Sequence, residues 1–367
     1  MDIGEAHMNQ PGRDEIKKAL FILTEGGVGD LLLSSPIMEV LKRDFPGCSV
    51  TCWANPNHAP ILHGSPHVDG YLDLPKEMGF IRALKRIRSE RFDLAVLPWT
   101  TSRAAWLAYL AGIPYRIGQG DRMMYSWTFT HPVTVRPRLG DITSHWVESQ
   151  LDYVRALGCD VSGVRPRIWL SEQEKSRARE LLIRHGADPG GRLCCMAVGR
   201  NVPMTPRNWP IDKFIAAGKL ITRELGFRLV LTGSRHELPI VAEVAKGVGP
   251  GAINLAGQTD VRLLAAVISE TDVVVCPDSG PSHIAAALGV PAVSIFAMRC
   301  DLPERWRPYE DAYRIIRARG VICWKKRCVR EKCDYYECLS AIDEREIVGA
   351  VADLTACGVR QRLRRAG

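Results

Sequence analysis

Two short β-branched runs bracket a polar turn and an apolar helix between Asp272 and Phe296, and this unit commits the chain to a parallel sheet. The first run, Asp272-Val-Val-Val-Cys276, reads as a fully buried strand. Asp278-Ser279-Gly280-Pro281-Ser282-His283 follows as the turn. Ile284-Ala-Ala-Ala-Leu-Gly289 reads as a helix closed by glycine, and Ala292-Val-Ser-Ile-Phe296 as the next strand. Strands joined through a helix lie parallel, because the helix carries the chain back to the same end of the sheet. The turn also sets backbone N–H groups and small hydroxyls at a helix N-terminus. Such a place favours anions, phosphate above all.

The same alternation runs through the whole chain. In the first half, strands are expected at 19–24, 49–53 and 93–97, and helices at 30–44, 102–111 and 144–157. The stretch 112–138 is turn-rich and aromatic and carries no clear assignment. The pattern breaks near 160–169, where Gly163 and Pro166 interrupt it. Ser171-Glu-Gln-Glu174 then opens a charged helix with a capping pattern. Strands at 193–198, 228–231 and 252–255 follow, with helices at 211–224, 237–246 and 261–269 between and after them. A last amphipathic helix is expected at 343–354. Two runs of this kind predict an α/β chain with two open parallel sheets, divided into 1–165, 166–340 and a closing segment 341–367. Ligands of such sheets bind at the carboxyl ends of the strands.

Composition narrows the function classes. The 367 residues are 46% hydrophobic and 25% charged, with a net charge of +8. No apolar run reaches the roughly 18–20 residues that span a bilayer. The first residues lack an apolar signal region, which predicts a cytoplasmic protein. The basic balance suits anionic partners such as nucleotides, phosphorylated sugars or anionic lipid headgroups. It equally fits solvated basic helix faces. No aromatic-basic interleaving supports nucleic-acid binding.

Three further segments carry candidate chemistry. Glu25-Gly-Gly-Val-Gly-Asp30-Leu-Leu32 resembles a dinucleotide fingerprint but has Leu32 at the third glycine position, so that reading fails. A glycine turn with one carboxylate, Asp30, remains. Asp30 is either a general base or the N-cap of the following helix. The loop holding Arg200, Thr205 and Arg207 follows a strand, and arginine offers bidentate contacts to a diphosphate. Otherwise it is a surface loop with Trp209 packed against the domain. Leu231-Thr-Gly233-Ser-Arg-His-Glu237 ends another strand. There Glu237 either accepts from a ribose or starts a helix.

In register, these segments resemble glycosyltransferase family 9, the heptosyltransferases of the lipopolysaccharide inner core. Gly29-Asp30-Leu-Leu-Leu-Ser-Ser-Pro36, Leu255-Ala256-Gly257-Gln258-Thr259 and the 278–283 turn carry the resemblance, which extends over about 19–354. It implies a GT-B architecture: two Rossmann-like domains facing across a cleft, with the last helix returning to the first domain. The N-terminal domain would bind the acceptor and hold the base Asp30. The C-terminal domain would bind the donor diphosphate through Asp278, Ser279, Gly280, Ser282, His283, Arg207, Thr205 and Arg200, and the nucleoside through Gly233 and Glu237. Arg207 stands where many members carry lysine. The implied reaction is inverting and needs no cofactor. The donor is a nucleotide-sugar, ADP-heptose foremost, and the acceptor is a phosphorylated lipid-sugar at the inner membrane face, reached by an enzyme that is at most peripheral. Arg116, Arg122 and His145 are acceptor candidates. A different donor or a protein acceptor, and a non-catalytic nucleotide-sugar binder, are the competing readings.

Cys323, Cys328, Cys333 and Cys338 recur every five residues amid lysine and arginine. Basic neighbours favour thiolate. The spacing leaves three readings open: unligated thiols, a structural zinc or iron site, or disulfides.

Overall fold

The computed structural model describes residues 10–99, 101–199, 209–296, 302–318 and 337–356. The chain forms two compact units, Met1–Trp169 and Leu170–Gly367. Each is built on a six-stranded, all-parallel sheet with helices on both faces.

The first sheet contains β1 (Lys18–Leu23), β2 (Ser49–Ala54), β3 (Gly70–Tyr71), β4 (Leu94–Leu97), β5 (Tyr115–Gln119) and β6 (His131–Val133), in the order β3-β2-β1-β4-β5-β6. The second contains β7 (Leu193–Ala197), β8 (Arg228–Thr232), β9 (Ala252–Asn254), β10 (Val273–Pro277), β11 (Ala292–Ile295) and β12 (Tyr313–Ile316), in the order β12-β11-β10-β7-β8-β9. The two orders are the same once each sheet is counted from its own first strand. In both, the first strand pairs with the second on one side and the fourth on the other. The chain winds away from the centre in both directions, so a crevice opens at the carboxyl ends of β1 and β4, and again at those of β7 and β10.

Burial follows the expected logic of doubly covered sheets. Every residue of β4, β7, β10 and β11 is buried, with no polar alternation. One face of the first sheet packs the Phe80–Glu90 and Ser102–Leu110 helices through Ala83, Ile87, Ala105 and Leu107 against Leu20, Ile22 and Leu97. The other carries the Val28–Ser34, Pro36–Asp44 and Trp146–Arg155 helices. In the second unit the Ile211–Leu225, Leu238–Val248 and Glu344–Ala356 helices share one core, and the Glu172–Arg184 and Val261–Ser269 helices build the other face.

Several elements differ from the expectation. The segment 30–44 is two helices, Val28–Ser34 and Pro36–Asp44, because Pro36 has no N–H to continue the ladder and instead starts a new helix at its first position. The stretch 112–138 resolves into β5 and β6 with short 3₁₀ turns between and after them. Ser171 and Glu174 form the reciprocal cap that the sequence predicts, with Ser171 Oγ accepting from the Glu174 N–H at 3.3 Å and Glu174 Oε2 accepting from the Ser171 N–H at 2.8 Å. The resemblance implies that the last helix, Glu344–Ala356, returns to the first domain. Of the closing segment 341–367, the Glu344–Ala356 helix packs on the second unit's core, against the Ile211–Leu225 helix and strands β10–β12, and residues 357–367 lie outside the described residues. The helix's apolar face, including Ile347, Val351 and Leu354, is what completes that core. The anchor is specific: Trp209 is 1% exposed, and its Nε1–H donates to Ile342 O at 3.3 Å, while Lys213 Nζ donates to the same carbonyl at 2.8 Å. Trp209 is therefore the packed tryptophan of the plainer reading.

Candidate active site

Asp30 sits where the first sheet opens. β1 ends at Leu23, and the chain turns through Gly26, whose φ of +86° is the left-handed region that glycine alone enters freely. A Cβ at Gly26 would also stand 2.7 Å from Asp30 Oδ2. Space is thus kept for the carboxylate. Asp30 is not the N-cap; Gly27 is, and it has no side chain to offer. Asp30 is the third residue of the helix and reaches back, its Oδ2 accepting from the Gly27 N–H at 2.7 Å. One carboxylate oxygen is thereby fixed.

Burial pushes the Asp30 carboxyl above its ordinary value, and the Gly27 N–H, its own backbone and the charge of His58 pull against that. His58 lies in the turn after β2, the neighbour of β1, and burial holds its imidazole below the usual value despite the pull of Asp30. Sequence reading misses His58, because nothing local to residue 58 announces a neighbour 28 positions away. It misses a second feature too. Trp99, just past β4 and 38% exposed, meets Trp146 edge-on at 6.0 Å. Aromatic faces at the carboxyl end of β4 can pack on the apolar face of a sugar ring.

The Asp278 turn borders the corresponding crevice of the second sheet, but from its fourth strand: it follows β10, which lies beside β7. Its helix runs Gly280–Ala287, with Ser279 as the N-cap residue. Ser279 makes no side-chain cap; its hydroxyl donates to Pro277 O at 3.0 Å. Ser282 Oγ donates to Ser279 O at 2.8 Å. The first-turn N–H groups consequently have no capping hydroxyl, and both hydroxyl oxygens keep accepting capacity. Ser282 and His283 are buried, at 1% and 6% exposure, while Asp278, Ser279 and Gly280 are half-buried.

Glu237 is 5% exposed and closes a 3₁₀ turn, its Oε2 accepting from the Ser234 N–H at 2.6 Å. Its Oε1 lies over Gly199 at the end of β7, in the space that a Cβ at Gly199 would occupy. Glu237 therefore stands at the same crevice as the Asp278 turn. Gly233 keeps its carbonyl on the Gly257 N–H at 2.9 Å. Arg200, Thr205 and Arg207 lie outside the described residues.

The acceptor candidates are not brought together. Arg122, beyond the carboxyl end of β5, is exposed. His145 caps the Trp146–Arg155 helix, its Nδ1 accepting from the Val147 N–H at 3.1 Å. Arg116 sits at the amino end of β5 instead. Its guanidinium donates to the carbonyls of Thr128, Ile113 and Pro114 and lies over the Tyr109 ring at 5.4 Å, a bracing role that leaves it at the wrong end of the strand for the crevice.

Of the four late cysteines, Cys323, Cys328 and Cys333 lie outside the described residues, and Cys338 packs on the second unit's core. Among the described residues no group of three or more His, Cys, Asp or Glu is placed to hold a metal ion. Among the same residues no helix is long and apolar enough to cross a membrane.

Comparison with known proteins sets this geometry in context. The family model for glycosyltransferase family 9 (heptosyltransferase) matches residues 80–338. Lipopolysaccharide heptosyltransferase 3 of Escherichia coli is 27% identical over 354 residues, spanning 89% of this chain and 96% of that protein. The glycosyl transferase family 9 structure from Veillonella parvula DSM 2008 superposes with a TM-score of 0.82 at 21% identity, covering 94% of this chain and 99% of that one. The E. coli ADP-heptose LPS heptosyltransferase II structure does so with a TM-score of 0.76, also at 21% identity and with the same coverage. At that identity the structures establish the fold, the two-unit GT-B type.

Proposed function

Because this chain belongs to glycosyltransferase family 9, we propose that it moves a heptose from ADP-heptose onto a hydroxyl of a lipopolysaccharide inner-core acceptor, with inversion at the anomeric carbon. The observation that carries the chemistry is the Asp30 carboxylate, tethered by one oxygen to the Gly27 N–H and raised in basicity by burial. A base of raised pKa is a better proton acceptor at working pH.

In the proposed reaction, the acceptor oxygen attacks the anomeric carbon as its proton passes to Asp30. The bond from that carbon to the diphosphate oxygen breaks, and ADP leaves with the electron pair. Charge growing on the diphosphate is met by the first-turn N–H groups of the Gly280–Ala287 helix and by the Ser279 and Ser282 hydroxyls, which donate once they rotate. Arg207, with Arg200 and Thr205 beside it in the sequence, supplies the cationic share of that stabilisation. Glu237 and Gly233 border the nucleoside. The reading needs no metal and no cofactor.

The acceptor in this reading is a phosphorylated lipid-sugar on the cytoplasmic face of the inner membrane. A thermal-shift panel of ADP, GDP, UDP and their sugars tests the donor. ADP and ADP-heptose are expected to raise Tm, with a ligand at 100 times its Kd contributing about 2.7 kcal/mol. Equal or absent shifts across the panel overturn the donor reading, and a larger shift with another nucleotide reassigns it.

A further inference from the structure

The first unit carries an exposed aromatic and methionine patch. Trp106, Tyr109 and Trp127 form a mutual edge-on triad, with ring centroids 5.1–6.0 Å apart. Trp127 is 59% exposed, and the neighbouring Met123 and Met124 are 97% and 77% exposed. Large apolar side chains clustered in this way mark an interaction surface rather than chance exposure. Trp and Tyr rings with one wet edge are the residues that settle at a membrane–water interface.

The surroundings of the patch are cationic. From Phe80 to Thr130 there are eight Lys and Arg against three Asp and Glu, which is +5 of the chain's net +8. On the Phe80–Glu90 helix, which packs beside the Ser102–Leu110 helix that bears two of the rings, Ile81, Lys85 and Arg88 recur at i, i+4 and i+7 and are all exposed. A cavity of about 760 Å³ opens where these two helices end, lined by Lys85, Arg88 and Arg91 together with Phe92, Ile113 and Pro114. It faces the amino end of β4, the edge opposite the Asp30 turn.

We propose that this surface seats the enzyme on an anionic phospholipid bilayer. Trp127, Met123 and Met124 enter the headgroup region, and Lys85, Arg88 and Arg91 meet lipid phosphates. Charge complementarity singles out the occupant: aromatic and thioether side chains next to excess cations match apolar chains under anionic headgroups, whereas a cationic or zwitterionic surface lacks half of that match. The choice of a lipid surface rests on the reading of the acceptor as lipid-borne.

The test is co-sedimentation of the full chain with vesicles of pure phosphatidylcholine, or with vesicles in which about one lipid in three is phosphatidylglycerol, enough to raise a negative surface potential. The unmodified protein is expected to partition roughly tenfold better or more onto the anionic vesicles, and to lose that preference in high salt. A Lys85→Glu/Arg88→Glu variant is expected to lose roughly tenfold or more, since each cation near such a surface is worth on the order of fivefold. A Met123→Ser/Met124→Ser/Trp127→Ala variant is expected to lose binding even at low salt. Both variants should keep the ADP thermal shift and transfer to a delipidated acceptor, so this proposal and the proposed function fail separately. Absent vesicle binding by the unmodified chain overturns the proposal, as does unchanged binding by both variants. Self-association abolished by Trp127→Ala, with vesicle binding unaffected, overturns it in favour of a second copy.

Discussion

Replacing Asp30 with asparagine separates its two duties. The asparagine side chain keeps the size and one oxygen of the original, so it can still accept from the Gly27 N–H that Asp30 holds at 2.7 Å. It cannot take a proton at neutral pH. General-base catalysis contributes roughly 10²–10⁴ in rate, which is about 2.7–5.4 kcal/mol at about 1.36 kcal/mol per decade. Stability should move the other way. The folded-state pKa of Asp30 is raised, with burial the first cause. Below both the folded and unfolded values the group is protonated in both states and contributes nothing. As pH rises through them, ionisation is less favourable in the folded chain, so the charge costs stability at neutral pH. Asp30→Asn removes that cost and is expected to leave Tm equal or slightly higher. Asp30→Ala removes the acceptor for the Gly27 N–H as well, for about 0.5–2 kcal/mol, and should lower Tm by a few degrees (about 2–4 °C per kcal/mol for a unit of this size). The assay is the initial rate of ADP release at saturating donor and acceptor, run beside differential scanning calorimetry. Activity of Asp30→Asn within tenfold of the unmodified enzyme refutes the base assignment. Equal losses of Tm and of ADP binding in both variants make Asp30 structural only.

Three further outcomes are expected. The acid limb of the kcat/KM profile, which reports the free enzyme, should lie above the ordinary Asp value, because the active form is lost as pH falls through a raised Asp30 pKa; a limb at the ordinary value contradicts this. Gly199→Ala places a Cβ where Glu237 Oε1 now lies, so it must displace that carboxylate; a loss of about 1–3 kcal/mol and weaker ADP binding should follow, measured by urea unfolding and titration calorimetry. Glu174 is held down to about 2, first by the hydrogen bond from Arg262. Its stabilisation is therefore complete above the usual Glu value of 4.5 and lost as pH falls from there to about 2; Glu174→Gln should flatten the acid side of the Tm–pH curve across that window and cost about 1 kcal/mol above it.

The parts of the fold that are legible in the sequence are those whose physics is local. β10 reads as a strand because Val273, Val274 and Val275 are buried on both faces, leaving no room for polar alternation. The Asp278 turn reads as an anion site because the helix starts within it, at Gly280. What escapes reading depends on distant partners. β3 is two residues long, and β5 and β6 contain Gly118, Gln119 and His131, none of them a strand former by propensity; the pairing of β3 to β2, of β5 to β4 and of β6 to β5 makes them strands. Gly118 is there because the Phe129 ring fills the space its side chain would take. Asp30 stands three residues inside its helix rather than at the cap, and a glycine N-cap gives no side-chain signal to show it. The packing of the last helix on the second unit is equally hidden, because amphipathicity says that a face is buried and not which sheet buries it. His58 beside Asp30 and the Trp99–Trp146 pair are products of the tertiary fold alone.

Because each sheet is laid down from its centre, its innermost strand is also the first to leave the ribosome. β1 can pair with β2 within about 30 residues of synthesis, but its other edge stays open until β4, some 75 residues later in the register Ala19↔Leu94, has emerged. The same delay recurs between β7 and β10, at Val273↔Cys194. During each interval an apolar strand presents unpaired N–H and C=O groups, the condition under which nascent chains aggregate or are held by chaperones. Placing the ligand turns beside the central strands thus makes nascent-chain protection, and not only finished-state stability, a requirement for producing active enzyme.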